Sequence, residues 1–222
     1  MKKLLAVVLA ACTAFALASC NNNAEKSYTS GNTEYVIGCT GPLTGDASSY
    51  GISVQKGATL AVDEINKNGG LNGVNFKFDM KDDKAAAADA ASGYDMLYEA
   101  GMQVSLGSVT SGSCASFASK AVKDNVFFIT PSASAANVIE SGKNAFRVCF
   151  GDPDQGVLAA NEINEKYETV GVIYDTSDPY SSGIYEAFKG EMEKLGKEYA
   201  VQTFDAENKK DFSTQVEALK DC

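Results

Sequence analysis

From Tyr35 onward, the apolar positions of the chain switch repeatedly between two periods. Short apolar runs suit buried strands, and stretches whose apolar residues recur every three or four positions suit helices. The first strand is expected over 35–39 and is read as buried. A helix follows over 51–68, with Ala58, Ala61, Val62 and Ile65 on one face. Asn68-Gly69-Gly70 stops it, because glycine tolerates the left-handed conformation a helix end needs. Strands are then expected over 76–80, 104–106, 126–129 and 146–150. Helices over 85–100 and 111–124 separate them, with a short helix over 134–141 after Pro131. Past Gly151 the rhythm restarts. A helix over 152–167 carries Ala159, Ile163 and Tyr167 four residues apart. A strand over 170–174 leads to a helix face made by Ile184, Phe188, Met192 and Leu195. A strand over 199–204 leads to a last amphipathic helix marked by Phe212, Val216 and Leu219.

This alternation predicts parallel βαβ units under helical cover, an α/β doubly wound architecture. The break near Gly151 predicts two lobes, 34–151 and 152–222. Two parallel strands do not make a covered sheet by themselves, so the second lobe is expected to be incomplete, with the chain stopping inside a helix.

The first 33 residues break the pattern. Met1-Lys2-Lys3 is followed by an almost unbroken apolar run to Ala18, about 15 residues against the roughly 20 needed to span a bilayer. It ends in Leu17-Ala18-Ser19-Cys20, which predicts a lipoprotein signal over 1–19 and acylation of the Cys20 thiol. Residues 20–33 are polar and read as a flexible tether. Loss of the signal removes Lys2 and Lys3 and no acid, so 19 basic and 29 acidic residues become 17 and 29, a net of −12. That surface argues against nucleic acid as a partner.

The chain has no His, which removes Ser-His-Asp and Cys-His catalysis and His-ligated zinc. Cys39, Cys114, Cys149 and Cys222 show no CxxC spacing, and most are expected to be free and buried. Ser53-Val54-Gln55-Lys56 matches SxxK but falls on a predicted helix without companion motifs. No P-loop or dinucleotide fingerprint is present. Asp175 to Glu186 has the end spacing of a calcium loop but carries Tyr180 where the glycine belongs. Asp79, Asp82 and Asp83 are expected to end a strand and solvate a loop. No enzyme, metal or cofactor is expected.

In open α/β sheets, ligands lie beyond the carboxyl ends of the strands. Three loops with small hydroxyl residues fall there: 41–50, 108–113 and 130–134. Hydroxyls and bare N–H groups at a helix start suit a carboxylate. The competing account for Ser111 is N-capping, which wants the same residue types.

Several runs carry a resemblance. They are Gly41-Pro42-Leu43-Thr44-Gly45 with Tyr50-Gly51, Asn68-Gly69-Gly70-Leu71-Asn72-Gly73, Phe128-Ile129-Thr130-Pro131-Ser132-Ala133-Ser134, Asp152-Pro153-Asp154-Gln155-Gly156, Asp178-Pro179-Tyr180-Ser181-Ser182-Gly183 and Lys210-Asp211-Phe212-Ser213. Together they resemble the type I periplasmic solute-binding proteins of ABC importers, in the leucine/isoleucine/valine-binding branch and a lipoprotein form. The resemblance implies a two-lobe clamp that closes on an amino acid. It implies that Ser111, Ser132 and Ser134 hold the ligand's α-carboxylate and α-ammonium, and that Tyr50 and Tyr180 line the cleft from the two lobes. The family's ammonium-binding acid falls later than Cys222, and the positions of the disulfide in close relatives fall near Ala85 and Thr110. The expected partners are an amino acid, ABC permease subunits and, through the lipid on Cys20, the membrane. The protein is expected to be exported and monomeric. The same fold also serves ligand-binding sensors for amides and amino acids, which is the alternative function.

Overall fold

The computed structural model describes residues 34–222. The expectations for the signal over 1–19, the lipid anchor Cys20 and the tether over 20–33 lie outside the described residues.

Five parallel strands form the first sheet. They are β1 (Glu34–Gly41), β2 (Asn75–Asp82), β3 (Val104–Ser108), β4 (Phe127–Thr130) and β5 (Ala145–Arg147), in the spatial order β2-β1-β3-β4-β5. Strand order reverses between β1 and β3, and this switch point opens a crevice at the carboxyl edge. The connecting helices are α1 (Ser48–Lys67), α2 (Ala87–Glu99), α3 (Ser111–Lys123) and the short α4 (Ala136–Glu140). A second sheet holds β6 (Gly171–Asp175) and β7 (Ala200–Phe204), also parallel. Its helices are α5 (Asp152–Lys166), α6 (Pro179–Leu195) and α7 (Ser213–Leu219).

The main core joins α2 and α3 to the sheet. Tyr94 and Leu97 from α2, Phe117 and Ala121 from α3, and Phe128 from β4 are fully buried together. Edge-to-face ring pairs run from Tyr94 to Phe117 to Phe128, with centroids 4.9 and 5.9 Å apart. A smaller core of Ala160, Phe188 and Met192 holds α5 and α6 against the second sheet.

The structure corrects four expectations. Of the α1 face, Val62 is buried and Ala58 half-buried, but Ala61 and Ile65 point to solvent. The side-chain amide of Asn66 explains the rotation: it donates to Phe76 O at 2.7 Å and accepts from Phe76 N at 2.8 Å. This lock turns the 51, 58, 62, 66 stripe toward the sheet. β1 is buried only from Gly38 onward. β5 ends at Arg147, short of the expected Phe150. Its partner β4 stops before Pro131, which has no N–H to extend a ladder. The chain then leaves the sheet, with Val148 and Phe150 exposed. Finally, all four described cysteines are free, but only Cys39 and Cys114 are buried; Cys149 is half-buried and Cys222 exposed.

Asp83 also departs from the reading of a solvated loop. It is fully buried. Its Oδ2 accepts from Ser108 Oγ at 2.6 Å and its Oδ1 from Ala85 N at 2.9 Å. Burial lifts its carboxyl above the ordinary aspartate range, against the hydrogen bond from Ser108. The folded chain therefore holds this proton more tightly than the unfolded chain. The associated stability is complete below the unfolded value and is lost as pH rises through the folded one. Urea unfolding of Asp83→Asn beside wild type, from about pH 4 to 8, should show the variant gaining on wild type as pH rises. A stability difference independent of pH would contradict a raised carboxyl at this position.

Candidate functional site

The three hydroxyl-bearing loops meet at the carboxyl edge of the first sheet, each pinned by a different device. Asp82, the last residue of β2, shapes the first. Its Oδ1 accepts from Leu43 N at 2.8 Å and its Oδ2 from Thr44 Oγ1 at 2.6 Å. Burial acts to raise this carboxyl, but the hydrogen bonds from Thr44, Leu43 and Lys84 outweigh it and hold the group below the usual range. Gly51 then lets α1 pack on the loop: a Cβ there would lie 2.0 Å from Pro42 O. Tyr50 is thereby held at the cleft mouth, a residue 66% exposed.

The second loop leads into α3. Thr110 is the N-cap, yet no side chain caps the helix. Ser111 is the first helical residue, so the capping account of this serine fails. Its hydroxyl instead accepts from Ser134 N and Ala135 N, both at 3.2 Å, and clamps the third loop. The hydroxyls of Thr110 and Ser113 are buried without a hydrogen-bond partner. The start of α3 thus carries free N–H groups, a favourable dipole end and unpaired hydroxyls.

The third loop is tied on every side. Thr130 Oγ1 donates to Ser108 O at 2.7 Å and accepts from Ala133 N at 3.1 Å. Ser132 Oγ donates to Val109 O at 2.7 Å. The carbonyl of Ser134 accepts from Arg147 Nη1 at 2.6 Å and from Asp152 N at 3.0 Å. Arg147, the one arginine of the sequence, thereby fixes this loop to the crossover toward α5.

Opposite these loops stands the start of α6. Asp178 caps it by accepting from Tyr180 N at 3.1 Å, and Pro179 takes the first helical position. A Cβ on Gly112 would lie 3.8 Å from Pro179 Cδ, so the α3 and α6 starts approach within van der Waals reach. Between them lies a cavity of about 530 Å³. Tyr50, Ser111, Ser132, Ser134 and Tyr180 all line it. Burial first, then the charge of Asp152 and the neighbouring Tyr50, push the Tyr180 phenol above its usual range.

Cys149, Phe150 and Asp178 are further wall residues that sequence reasoning did not name as site residues, alongside Ala47, Val109 and Thr110 in the loops it singled out. Cys149 and Phe150 fall in a stretch read as strand, and only the early end of β5 turns them into the cavity. Asp178 sits in a quoted motif, and its N-cap position directly before proline was the available signal. The cavity is polar at the α3 start and apolar toward Val109, Phe150 and the two tyrosine rings. It is suited to a small molecule with an anionic head and an apolar body.

Comparison with known proteins finds relatives of this fold. The family model described as "Periplasmic binding protein" matches residues 34–221. The Leu/Ile/Val-binding protein BraC3 of Rhizobium johnstonii is 31% identical over 190 residues, covering 84% of this chain and 52% of that protein. The leucine-, isoleucine-, valine-, threonine- and alanine-binding protein of Pseudomonas aeruginosa is 32% identical over 187 residues, covering 83% of this chain and 50% of its own length. The crystal structure of the branched-chain amino acid transporter substrate binding protein LivJ from Streptococcus pneumoniae, in complex with isoleucine, superposes with a TM-score of 0.75 at 30% identity. That match covers 84% of this chain and 54% of that one. The chain spans about half the length of the curated relatives it matches. With the parallel α/β fold and the family match over 34–221, the chain belongs to the periplasmic binding protein family, as a type I member grouped with the Leu/Ile/Val-binding proteins.

Proposed function

We propose that the protein captures an amino acid, branched-chain or related, outside the cytoplasm and delivers it to an ABC importer. Residues 34–151 and 152–222 act as the two lobes of a clamp, and the lipid on Cys20 keeps a monomeric protein beside its permease. No bond is made or broken. The observation that carries the reading is the uncapped start of α3, with its unpaired Thr110 hydroxyl, opening on a cavity that also has an apolar end at Val109 and Phe150. A carboxylate satisfies those donors, and an aliphatic side chain fills the Val109 and Phe150 end. Ser111, Ser132 and Ser134 take the polar head of the ligand; Tyr50 and Tyr180 cover it.

The energetics are sufficient. Micromolar affinity needs about 8 kcal/mol, and a charge-assisted hydrogen bond contributes roughly 1.5–3 kcal/mol. A few such bonds with one buried side chain reach that value. Isothermal calorimetry of the full chain against the twenty amino acids tests the reading, and no heat with any of them removes it. Cys149 offers a local reporter, being a half-buried thiol in the cavity wall. Bound ligand should slow its alkylation, read by peptide mass spectrometry, and leave the exposed Cys222 unchanged. Equal protection of both thiols, or of neither, would place the ligand elsewhere.

A further inference from the structure

We propose that Asp83 is a positioning residue for ligand binding: it meets no ligand itself, but through Ser108 it fixes the loops that bring Val109, Ser111 and Ser132 to the cavity. This rests on the reading of the cavity given above.

Asp83 directly follows β2, is fully buried and is not part of the cavity wall. Its N–H donates to Gly41 O at 3.1 Å, at the end of β1 where the first loop begins. Its Oδ1 accepts from Ala85 N at 2.9 Å and its carbonyl from Ala86 N at 2.7 Å. These bonds close a turn in which Lys84 and Ala85 both take the left-handed conformation, at φ 52° and 60°. Neither is glycine, so the turn is strained, and the bond to the Asp83 carboxylate offsets part of that cost. On the other side, Ser108 Oγ donates to Oδ2 at 2.6 Å, with both residues buried. The side chains whose charge acts on or answers to this carboxyl are Asp82, Cys39 and Cys114, and no ion pair joins it among the described residues. Its hold on the neighbouring segments is therefore one of hydrogen bonds.

Ser108 carries that hold to the cavity. It is the last residue of β3, and the residues that follow it, Val109, Thr110 and Ser111, line the cavity. The carbonyl of Ser108 accepts from Thr130 Oγ1 at 2.7 Å, and Thr130 Oγ1 in turn accepts from Ala133 N at 3.1 Å, so the same residue secures the third loop. The first loop closes on this point as well: a Cβ on Gly41 would lie 2.5 Å from Val109 Cγ2. One buried carboxylate thus ties all three loops. Solvent does not replace a hydrogen bond between buried groups when one partner is removed, so the loss is passed to the segments the bond holds.

The test is calorimetry on the full chain with whichever of leucine, isoleucine and valine wild type binds most tightly, beside urea unfolding of the same proteins. Asp83→Ala and Ser108→Ala should each weaken binding by about 10-fold while remaining folded. The double variant should bind about as well as the weaker single one, because both changes remove the same bond. Asp83→Asn keeps an acceptor for Ala85 N and presents an amide to which Ser108 Oγ can serve as acceptor, so it should bind within about threefold of wild type. A merely structural loss would follow the unfolding free energy across these variants; a positioning loss follows the hydrogen bond. Affinity unchanged in a folded Asp83→Ala or Ser108→Ala overturns the inference alone. So do additive losses in the double variant, or a loss in Asp83→Asn as large as in Asp83→Ala. If Asp83→Ala does not fold, Ser108→Ala and Asp83→Asn decide: unchanged affinity in the first, or equal loss in both, overturns the inference. No heat from wild type with any of the three amino acids overturns the branched-chain reading of the cavity and this inference with it.

Discussion

Phe117→Ala should lower the unfolding free energy by about 3–5 kcal/mol, the range for removing a large aromatic side chain from a packed core. Phe117 has no exposed surface and sits at the middle of the ring chain, edge-on to Tyr94 at 85° and to Phe128 at 72°. Truncation removes both aromatic contacts and leaves a void that α2, β4 and the backbone of α3 cannot close without shifting. Phe127→Ala is the control. It is the neighbour of Phe128 on β4 but lies 44% exposed on the opposite face, where its ring meets Phe146 at 5.4 Å. It should cost well under half as much. Urea unfolding at one pH measures both. A Phe117→Ala loss below about 1 kcal/mol would mean that α3 is not held by this core. The result bears on function because α3 carries the start that faces the cavity.

The same helix shows why much of this fold was legible from the chain. Between Ser111 and Lys123, apolar residues at 114, 117, 118 and 121 recur at helical spacing, and every one is buried. Period and burial agree there because the helix packs on one continuous apolar face. On α1 they part company, since a polar residue, Asn66, decides the rotation through paired backbone hydrogen bonds that no hydropathy pattern records. Asp83 misled for a related reason. An aspartate after a strand reads as solvent-facing until Ser108, 25 residues on, is folded against it. β5 was drawn too long because its end depends on where its partner strand meets Pro131.

The candidate site was legible for a different reason. A parallel sheet delivers every βα loop to one edge, so hydroxyl-rich loops after β1, β3 and β4 had to converge once the alternation was read. All five candidate residues line one cavity. What convergence could not reveal was the division of labour among the serines. Ser111 holds the third loop as well as facing the cavity, and Ser132 is turned back onto Val109 O.

Ser111→Ala separates these roles. It should weaken amino-acid binding by about 10- to 100-fold, corresponding to about 1–3 kcal/mol for a buried polar partner lost. Two effects act together. The ligand loses a hydroxyl at the α3 start, and the buried N–H groups of Ser134 and Ala135 lose their acceptor. Each orphaned donor also destabilises the fold by about 1–3 kcal/mol, so the variant should unfold at lower urea than wild type. Ser111→Thr restores an Oγ in the same place. It should recover most of the stability, because the clamp on the third loop needs only an acceptor. Affinity recovers in parallel if Ser111 acts by positioning that loop. It stays reduced if the ligand packs against Ser111 itself and meets the added methyl. Calorimetry and urea unfolding on the two variants tell these apart, and an affinity unchanged in Ser111→Ala would take Ser111 out of the site altogether.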